Sequence, residues 1–361
     1  MRRRMDPVAL QGLTPEALAA LVPGATLSEA RKVVSAVHRG ASLRDRVEQV
    51  RRTTLEQVRA CVHVPSLDVI DERRSALDPF VKLALRTHDA KVIETVRIPL
   101  ERPGRFTVCV SSQAGCALAC RFCATGQLGL ERNLEAWEIV EQVRLVRETV
   151  RRDGLSAGIH GVVFQGMGEP LTNLDRVLRA IEVLSEPSAQ AIDARNITVC
   201  TAGLPSGIRR LAREAPKVRL GISVHAVDTS TRRSLMPIDK SHELEEVLDA
   251  TVEHTKITGR SPMWAVTLFA GVNDSDEHAR ALALRARKFA EQSGKRPRLS
   301  IIPYNSVPGA PFARSARDEA FRAVLGELGI PSHLRYSGGS DVDAACGQLA
   351  GRGSSTPASL D

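Results

Sequence analysis

The sequence predicts an α/β fold in which six strand–helix units form a parallel sheet, either doubly wound or curled into an incomplete barrel. Two observations support this prediction. From residue 105 onward, short apolar runs alternate with helical patterns. In front of them lies a region of short helices and a β-hairpin. The candidate strands of the main sheet are 106–111, 159–165, 196–201, 218–224, 262–269 and 298–303.

The elements outside the main sheet follow from local patterns. Helical pieces fill residues 13–63, where Thr53 with Glu56 predicts a capping box. Alternating runs at 81–86 and 92–98 flank a short turn and predict a hairpin. The remaining assignments are a long helix at 135–152, a last helix at 318–328, a short strand at 333–336, an accessory region at 1–100, a main domain at 101–350 and a disordered tail at 351–361.

Charge and composition indicate a phosphate-rich partner. The 361 residues have a net charge of +8, and half of it lies in residues 1–95, which hold 16 Lys and Arg against 12 Asp and Glu. This makes the N-terminal region the better candidate for an RNA surface. Aromatic residues make up only 3% of the chain, so we expect RNA contacts to depend on charge and shape rather than on extensive base stacking.

The location follows from what the sequence lacks. No apolar run approaches the ~20 residues of a membrane span, and the N-terminus leads into no signal-peptide core. We therefore expect a cytoplasmic protein without a membrane partner. Seven cysteines, an odd number, indicate metal or redox chemistry in a reducing compartment rather than a disulfide scaffold. Cys61, on a helical face, is expected to belong to the core.

Three cysteines, Cys116, Cys120 and Cys123, stand within eight residues. Thiolates with these spacings can converge on one soft metal centre. A closed zinc site needs four protein ligands, and an iron–sulfur cluster normally has four cysteines, so three leave a position open for a cofactor or substrate. The alternative is a zinc loop with a distant fourth ligand, for which His225 and Cys200 are candidates.

Residues suited to chemistry follow the predicted strands. The carboxyl ends of parallel strands meet at one edge of the sheet, where ligands bind in both candidate folds. Beyond the sheet, the loop 338–347 contains Cys346 and is too glycine-rich and polar to be core. The segments that follow strands are the cysteine cluster, 166–170, 201–203, His225 and 304–305.

These motifs match those of a known family. The chain resembles the RlmN/Cfr family of radical S-adenosylmethionine RNA methyltransferases, which modify adenine at carbon 2 or carbon 8. The similarity extends from roughly residue 80 to residue 350, and more weakly through the N-terminal helices. A three-cysteine motif alone indicates only a radical enzyme, whereas the segment around Cys346 is specific to the family. The matching segments are 109–116, the cysteine cluster, 166–170, 223–225, Asn305 with 308–311, and 341–349.

The resemblance implies an incomplete (β/α)6 radical S-adenosylmethionine barrel. In it, Cys116, Cys120 and Cys123 hold one [4Fe-4S] cluster per chain, and the open iron binds the amino and carboxylate groups of S-adenosylmethionine. Two molecules of that cofactor are used per turnover. The residues implied to line it are Gly168, Glu169, Cys200, Ser223, Val224, His225 and Asn305.

The resemblance also implies the roles of three further residues. Cys346 becomes S-methylcysteine, a 5'-deoxyadenosyl radical activates its methyl group, and the resulting carbon radical adds to the adenine. Cys109 then releases the RNA through a transient disulfide with Cys346, and Glu94 accepts a proton. From position alone, Cys109 on a strand is a buried apolar residue and Glu94 a solvated hairpin residue.

The predicted function is therefore methylation of carbon 2, or as second choice carbon 8, of an adenine in RNA. The implied partners are 23S ribosomal RNA, transfer RNA and an electron donor such as flavodoxin, and we expect a monomer. The alternatives are a radical enzyme with another substrate and a non-catalytic, zinc-bearing RNA-binding protein. Two positions depart from the family: Cys200 replaces a serine that is the better hydrogen-bond partner, and 337–340 lacks a basic residue.

Overall fold

The computed structural model describes residues 8–155 and 158–351. Its strands are β1 (Val8–Ala9), β2 (Val62–His63), β3 (Asp68–Arg74), β4 (Val81–Arg86), β5 (Val92–Pro99), β6 (Arg105–Val110), β7 (Gln113–Cys116), β8 (Gly129–Asn133), β9 (Gly158–Phe164), β10 (Ile197–Thr201), β11 (Arg219–Ser223), β12 (Met263–Leu268), β13 (Arg298–Pro303) and β14 (Ser332–Leu334). Its helices are α1 (Pro15–Leu21), α2 (Leu27–His38), α3 (Arg52–Cys61), α4 (Ala124–Leu128), α5 (Ala136–Arg152), α6 (Leu174–Ser185), α7 (Pro205–Glu214), α8 (Thr229–Leu235), α9 (Leu244–Thr258), α10 (Asp276–Ser293) and α11 (Asp318–Glu327).

The main sheet of the described residues has ten strands in the order β14-β13-β12-β11-β10-β9-β6-β5-β4-β3. From β6 to β14 all neighbours are parallel, and each strand pairs with the next main-sheet strand along the chain. Because this order never reverses, the units wind in one direction, as in a barrel, and there is no switch point of a doubly wound sheet. The predicted incomplete β/α barrel is confirmed, with each predicted strand end within one residue of the observed end.

The predicted hairpin extends this sheet. β4 pairs with β5 and β5 pairs with β6, all antiparallel. Sequence reasoning missed β3, which consists mostly of Asp, Glu and Arg and shows no apolar alternation. Such charges are typical of an edge strand, because they discourage pairing with another chain.

The N-terminal helices form their own apolar core. Side chains of α1, α2 and α3 pack together from Leu10 to Val62, whereas the hairpin strands share the core of the barrel. The half-buried Cys61 packs against this helical core. The capping box predicted at Thr53 and Glu56 is wrong. The helix begins two residues earlier than that cap requires, at Arg52 with Arg51 as its N-cap, and Glu29 holds Arg51 there (Arg51 Nε to Glu29 Oε1, 2.8 Å).

The C-terminal segment joins the two edges of the sheet. After β14, Asp78 Oδ2 accepts hydrogen bonds from the Gly339 amide (2.9 Å) and the Tyr336 hydroxyl (3.0 Å). Gly338 must lack a side chain there, since a Cβ would lie 2.4 Å from Asp78 Oδ2. Asp78 precedes β4, so residues near opposite ends of the sheet meet and the sheet must curl.

Candidate active site

A cavity opens at the carboxyl ends of the parallel strands, as the sequence predicted. Its volume is about 970 Å³ including the open mouth. Residues that follow β9, β10 and β11 form one wall, and the cysteine loop forms another. Nine predicted site residues line it together: Cys116, Cys120, Cys123, Gly168, Glu169, Cys200, Ser223, His225 and Cys346.

The cysteine loop is held by two backbone contacts, one to α8 and one within the loop. Cys116 ends β7, and Cys123 immediately precedes α4. Between them the Arg121 amide donates to the Leu235 carbonyl (3.1 Å), and the Cys123 amide donates to the Cys120 carbonyl (3.2 Å). Sequence reasoning did not predict the small β7–β8 hairpin. This hairpin fixes the first thiol, and the turn before α4 fixes the last.

The three thiols offer a sulfur donor set on one cavity wall. Burial raises the pKa of Cys116 to about 11 and raises the pKa values of Cys120 and Cys123 as well, so loading a metal would release protons. Cysteine sulfurs that line one open cavity fit the donor set of an iron–sulfur cluster.

Glu169 is held rigidly beside this loop. Its Oε1 accepts from the Leu171 amide (3.0 Å) and its Oε2 from the Ala202 amide (2.9 Å), while burial raises its pKa. The Glu169 amide donates to Gln113 Oε1 (2.7 Å). Gly168 has φ +96°, and a Cβ there would lie 2.5 Å from the Gln113 side chain. Only glycine therefore fits next to the carboxylate.

His225 presents a neutral ring to the cavity. Its Nδ1 accepts from the Thr267 amide (3.1 Å), and its carbonyl accepts from Asn273 Nδ2 (2.8 Å). The Phe122 ring packs against it edge-on at 4.8 Å between centroids. Burial, with a smaller contribution from the positive charge of Arg232, lowers the pKa of His225 to about 3. With Nδ1 occupied as an acceptor, Nε2–H is the available donor for a ligand.

Arg232, which sequence reasoning missed, holds the strand ends that form the wall. Its guanidinium is fully buried and pairs with Asp239 (Nε to Oδ1, 3.0 Å). It also donates to the carbonyls of Ala202 (2.9 Å), Ser223 (2.8 Å) and Val224 (2.6 Å). The sequence around it looks like a solvated helix, so no local signal indicates this role.

Two residues predicted to line the cofactor lie away from the cavity wall. Val224 is buried in the core, and its carbonyl is bound by Arg232. Asn305 Nδ2 donates to Ser337 Oγ (2.8 Å) and to the Cys346 carbonyl (3.2 Å). Asn305 therefore positions the loop that contains Cys346.

Cys346 also lines a second, smaller cavity of about 490 Å³, together with Cys109, Gln165 and Arg335. It thus stands between the cysteine loop on one side and Cys109 on the other. Burial raises the pKa of Cys109, the nearby Cys346 raises it further, and Arg335 opposes both. The structure brings the two thiols to one cavity although 237 positions separate them (346 − 109).

Glu94 lies outside the linings of both cavities. It is buried and pairs with the buried Lys82 (Nζ to Oε1, 3.1 Å). Its Oε2 accepts from the amides of Ala350 (2.7 Å) and Gly351 (3.2 Å). Glu94 therefore holds the end of the C-terminal segment. Apart from Gly351, the tail predicted at 351–361 lies outside the described residues.

Comparison with known proteins identifies the class and then the family. Residues 110–283 match the Radical SAM superfamily. The chain is 58% identical over 358 residues to a probable RNA methyltransferase of Sorangium cellulosum, covering 94% of this chain and 91% of the relative. It is 43% identical over 290 residues to the dual-specificity RNA methyltransferase RlmN of Desulfotalea psychrophila, covering 78% and 77%. A crystal structure of a radical SAM methyltransferase from Sphaerobacter thermophilus matches with a TM-score of 0.85 and 36% identity, over 96% of this chain and all of that one.

The fold and the cysteine-lined cavity thus define a radical S-adenosylmethionine enzyme. More narrowly, the chain belongs to the RlmN-type family of radical S-adenosylmethionine RNA methyltransferases, which confirms the predicted enzyme class. The zinc-protein alternative is not supported. Among the described residues, no helix has the length and apolar character needed to cross a membrane.

Proposed function

We propose that this enzyme methylates carbon 2 of an adenine in 23S ribosomal RNA, with transfer RNA as a second substrate and carbon 8 as the alternative position. The observation behind the proposal is the position of Cys346, on the wall of both cavities, between the three clustered cysteines and Cys109. A thiol in that place can accept a methyl group on the side of the clustered cysteines. On the other side, Cys109 can later free it from the adduct.

In this proposal Cys116, Cys120 and Cys123 hold one [4Fe-4S] cluster, and the opposite wall holds S-adenosylmethionine, two molecules per turnover. When bound, they supply the methyl group and the one-electron chemistry required at a ring carbon that a sulfonium cannot methylate directly. Glu169 offers carboxylate oxygens to the cofactor's ammonium group, and His225 offers its Nε2–H.

Cys346 is the proposed methyl acceptor. Its thiol loses a proton, its Sγ forms the bond to the methyl carbon, and that carbon's bond to the sulfonium sulfur breaks with the electron pair left on the departing thioether. The S-methyl carbon would then give up one hydrogen atom and bond to the adenine ring carbon, which loses a proton and returns one electron to the one-electron centre. The RNA is thereby linked covalently to the protein through Cys346. Asn305 supports this role, because it binds the Cys346 carbonyl and so limits the movement of the loop.

Cys109 is the proposed resolving thiol. Its thiolate attacks Cys346 Sγ, so that a disulfide forms and the bond between Cys346 Sγ and the RNA-linked carbon breaks. That carbon keeps the electron pair and takes up a proton. Glu94 is the proposed acceptor of the proton lost by the ring carbon. Because the amides of residues 350 and 351 occupy its Oε2, this step requires the C-terminal segment to move.

The RNA is proposed to bind the accessory region, residues 1–100. Basic side chains supply the charge there: Arg44 and Arg59 line one surface hollow, and Arg31, Lys32 and Arg39 line another. We further propose a cytoplasmic monomer that receives electrons from a donor such as flavodoxin.

Nucleoside mass spectrometry tests this function. RNA from cells with and without the gene is separated into ribosomal and transfer fractions and digested. Loss of 2-methyladenosine in the deletion strain, restored by the wild-type gene but not by Cys346→Ala, is the expected result. Loss of 8-methyladenosine would move the reaction to carbon 8. An unchanged content of methylated adenosine in both fractions would refute the proposed substrate. About four iron and four sulfide per chain after anaerobic purification are expected for the cluster.

A further inference from the structure

Arg335 lies beside the proposed reactive thiols and has no carboxylate partner among the described residues. It follows β14 and lines the second cavity with Cys109 and Cys346. Its Nη1 donates to Gln165 Oε1 (2.9 Å), and its amide donates to the Ile301 carbonyl (2.8 Å). Within residues 8–155 and 158–351, no carboxylate forms a salt bridge with it and none contributes to the shift of its pKa. A half-buried cation without a carboxylate partner needs an anion of another kind to balance its charge.

The anions available to Arg335 are thiolates. Negative charge at Cys346, and to a smaller extent at Cys200 and Cys109, raises the pKa of Arg335. Conversely, Arg335 opposes the effect of burial on Cys109 and Cys200. Among the residues lining the two cavities, Arg335 is the sole Lys or Arg. No other fixed positive charge on these walls stands close to the reacting sulfurs.

We propose that Arg335 is the counter-cation that stabilises Cys346 and Cys109 as thiolate nucleophiles. The roles of these two thiols rest on the proposed function, but the contribution of Arg335 to thiol reactivity does not require RNA. Both proposed sulfur steps begin from a thiolate, and burial disfavours that form at Cys109. An arginine suits the task because it stays protonated throughout and does not return a proton to the thiolate, as a histidine or lysine can.

The other anion that an arginine commonly binds is an RNA phosphate. Two observations favour the thiolates. Gln165, on the lining of the same cavity, already accepts from one arm of the guanidinium. Cys109 on strand β6 and Cys346 line that cavity together with Arg335, so both sulfurs are in place there in the absence of RNA. Binding of an RNA phosphate by Arg335 is a separate outcome that the experiment distinguishes.

The test compares Arg335→Met with Arg335→Lys in the full-length, cluster-loaded protein without RNA. Both variants and the wild type react with iodoacetamide at one fixed pH, and peptide mass spectrometry follows the alkylation of Cys346. Cys61 is the internal reference, since it is also half-buried but lies on α3, outside both cavities. Alkylation forms a sulfur–carbon bond and releases iodide, so its rate reports the reactive thiolate.

Removing an adjacent positive charge disfavours the thiolate form, and the accompanying gain in intrinsic nucleophilicity offsets part of the lost thiolate. We therefore expect Arg335→Met to lower the ratio of Cys346 to Cys61 alkylation about three- to tenfold. Arg335→Lys should keep the ratio within about twofold, because it retains the charge.

An unchanged ratio in Arg335→Met overturns the proposal. If RNA affinity falls in that variant while the ratio stays the same, Arg335 binds phosphate instead. If Arg335→Met does not fold, as judged by circular dichroism, Arg335→Gln provides a second neutral variant for the same ratio. Failure of the wild type to methylate RNA would refute the proposed function and leave the alkylation result valid.

Discussion

Replacing Arg232 with methionine tests whether this buried arginine holds the wall of the cavity. The substitution leaves the Asp239 carboxylate, which is 1% exposed, without its closest partner and leaves three backbone carbonyls without their donor. Breaking a buried ion pair costs about 3–5 kcal/mol, because one charge remains desolvated. This is a large part of the ~5–15 kcal/mol by which a domain is stable. We expect a loss of this size together with weaker binding of S-adenosylmethionine.

The measurement is urea unfolding of the cluster-loaded protein, followed by circular dichroism, with the slope and midpoint giving the change in free energy. Arg209→Met is the matched control. Arg209 is 37% exposed and pairs with the exposed Glu253 (2.8 Å), so its loss should cost less than about 1 kcal/mol. Arg232→Met combined with Asp239→Leu should regain part of the stability, since no charge is then stranded while the three carbonyls still lack their donor. Equal effects of Arg232→Met and Arg209→Met would refute this reasoning.

Three further predictions concern the walls of the site. Gly168→Ala should weaken S-adenosylmethionine binding in calorimetry, because its Cβ would overlap Gln113. Gly259→Ala, also at positive φ but facing open space after α9, should not, and equal affinities would contradict this. Glu94→Gln should speed hydrogen exchange of the amides of residues 350 and 351, which lose a charged acceptor, and unchanged exchange would argue against that anchor. Cys200→Ser should lower the Kd for S-adenosylmethionine about two- to tenfold, because a hydroxyl is a better hydrogen-bond partner than a thiol. If Cys200→Ala has the same Kd as Cys200→Ser, the side chain at this position makes no polar contact with the cofactor.

Most strands of the barrel could be predicted from local sequence patterns. The six predicted strands and the hairpin appear as expected, because each is an apolar run bounded by polar residues. The choice between a doubly wound sheet and a barrel depends on strand order, which no local pattern encodes. The edge strand β3 was not predicted, because its charged residues are typical of an exposed edge and not of a buried strand. The start of α3 was misplaced because a distant residue, Glu29, holds Arg51.

Only part of the site could be predicted from the sequence. The spacing of Cys116, Cys120 and Cys123 indicates a metal centre on its own, whereas Cys109 looks like an ordinary core residue and was assigned through the family resemblance. Arg232 and Arg335 gave no signal, because their importance comes from burial next to carbonyls and thiols that are distant in the chain. Asn305 and Val224 were expected at the cofactor; neither lines the cavity, and their contact with the cofactor stays a prediction.

The central claim is that the RNA is bound covalently to Cys346 and released by Cys109. The direct measurement is a denaturing gel with mass spectrometry of the protein after reaction with RNA. Cys109→Ala should retain an adduct of one RNA on the peptide that contains Cys346, and the double variant Cys109→Ala, Cys346→Ala should retain none. Absence of an adduct in Cys109→Ala, or an adduct that persists without Cys346, would contradict the account.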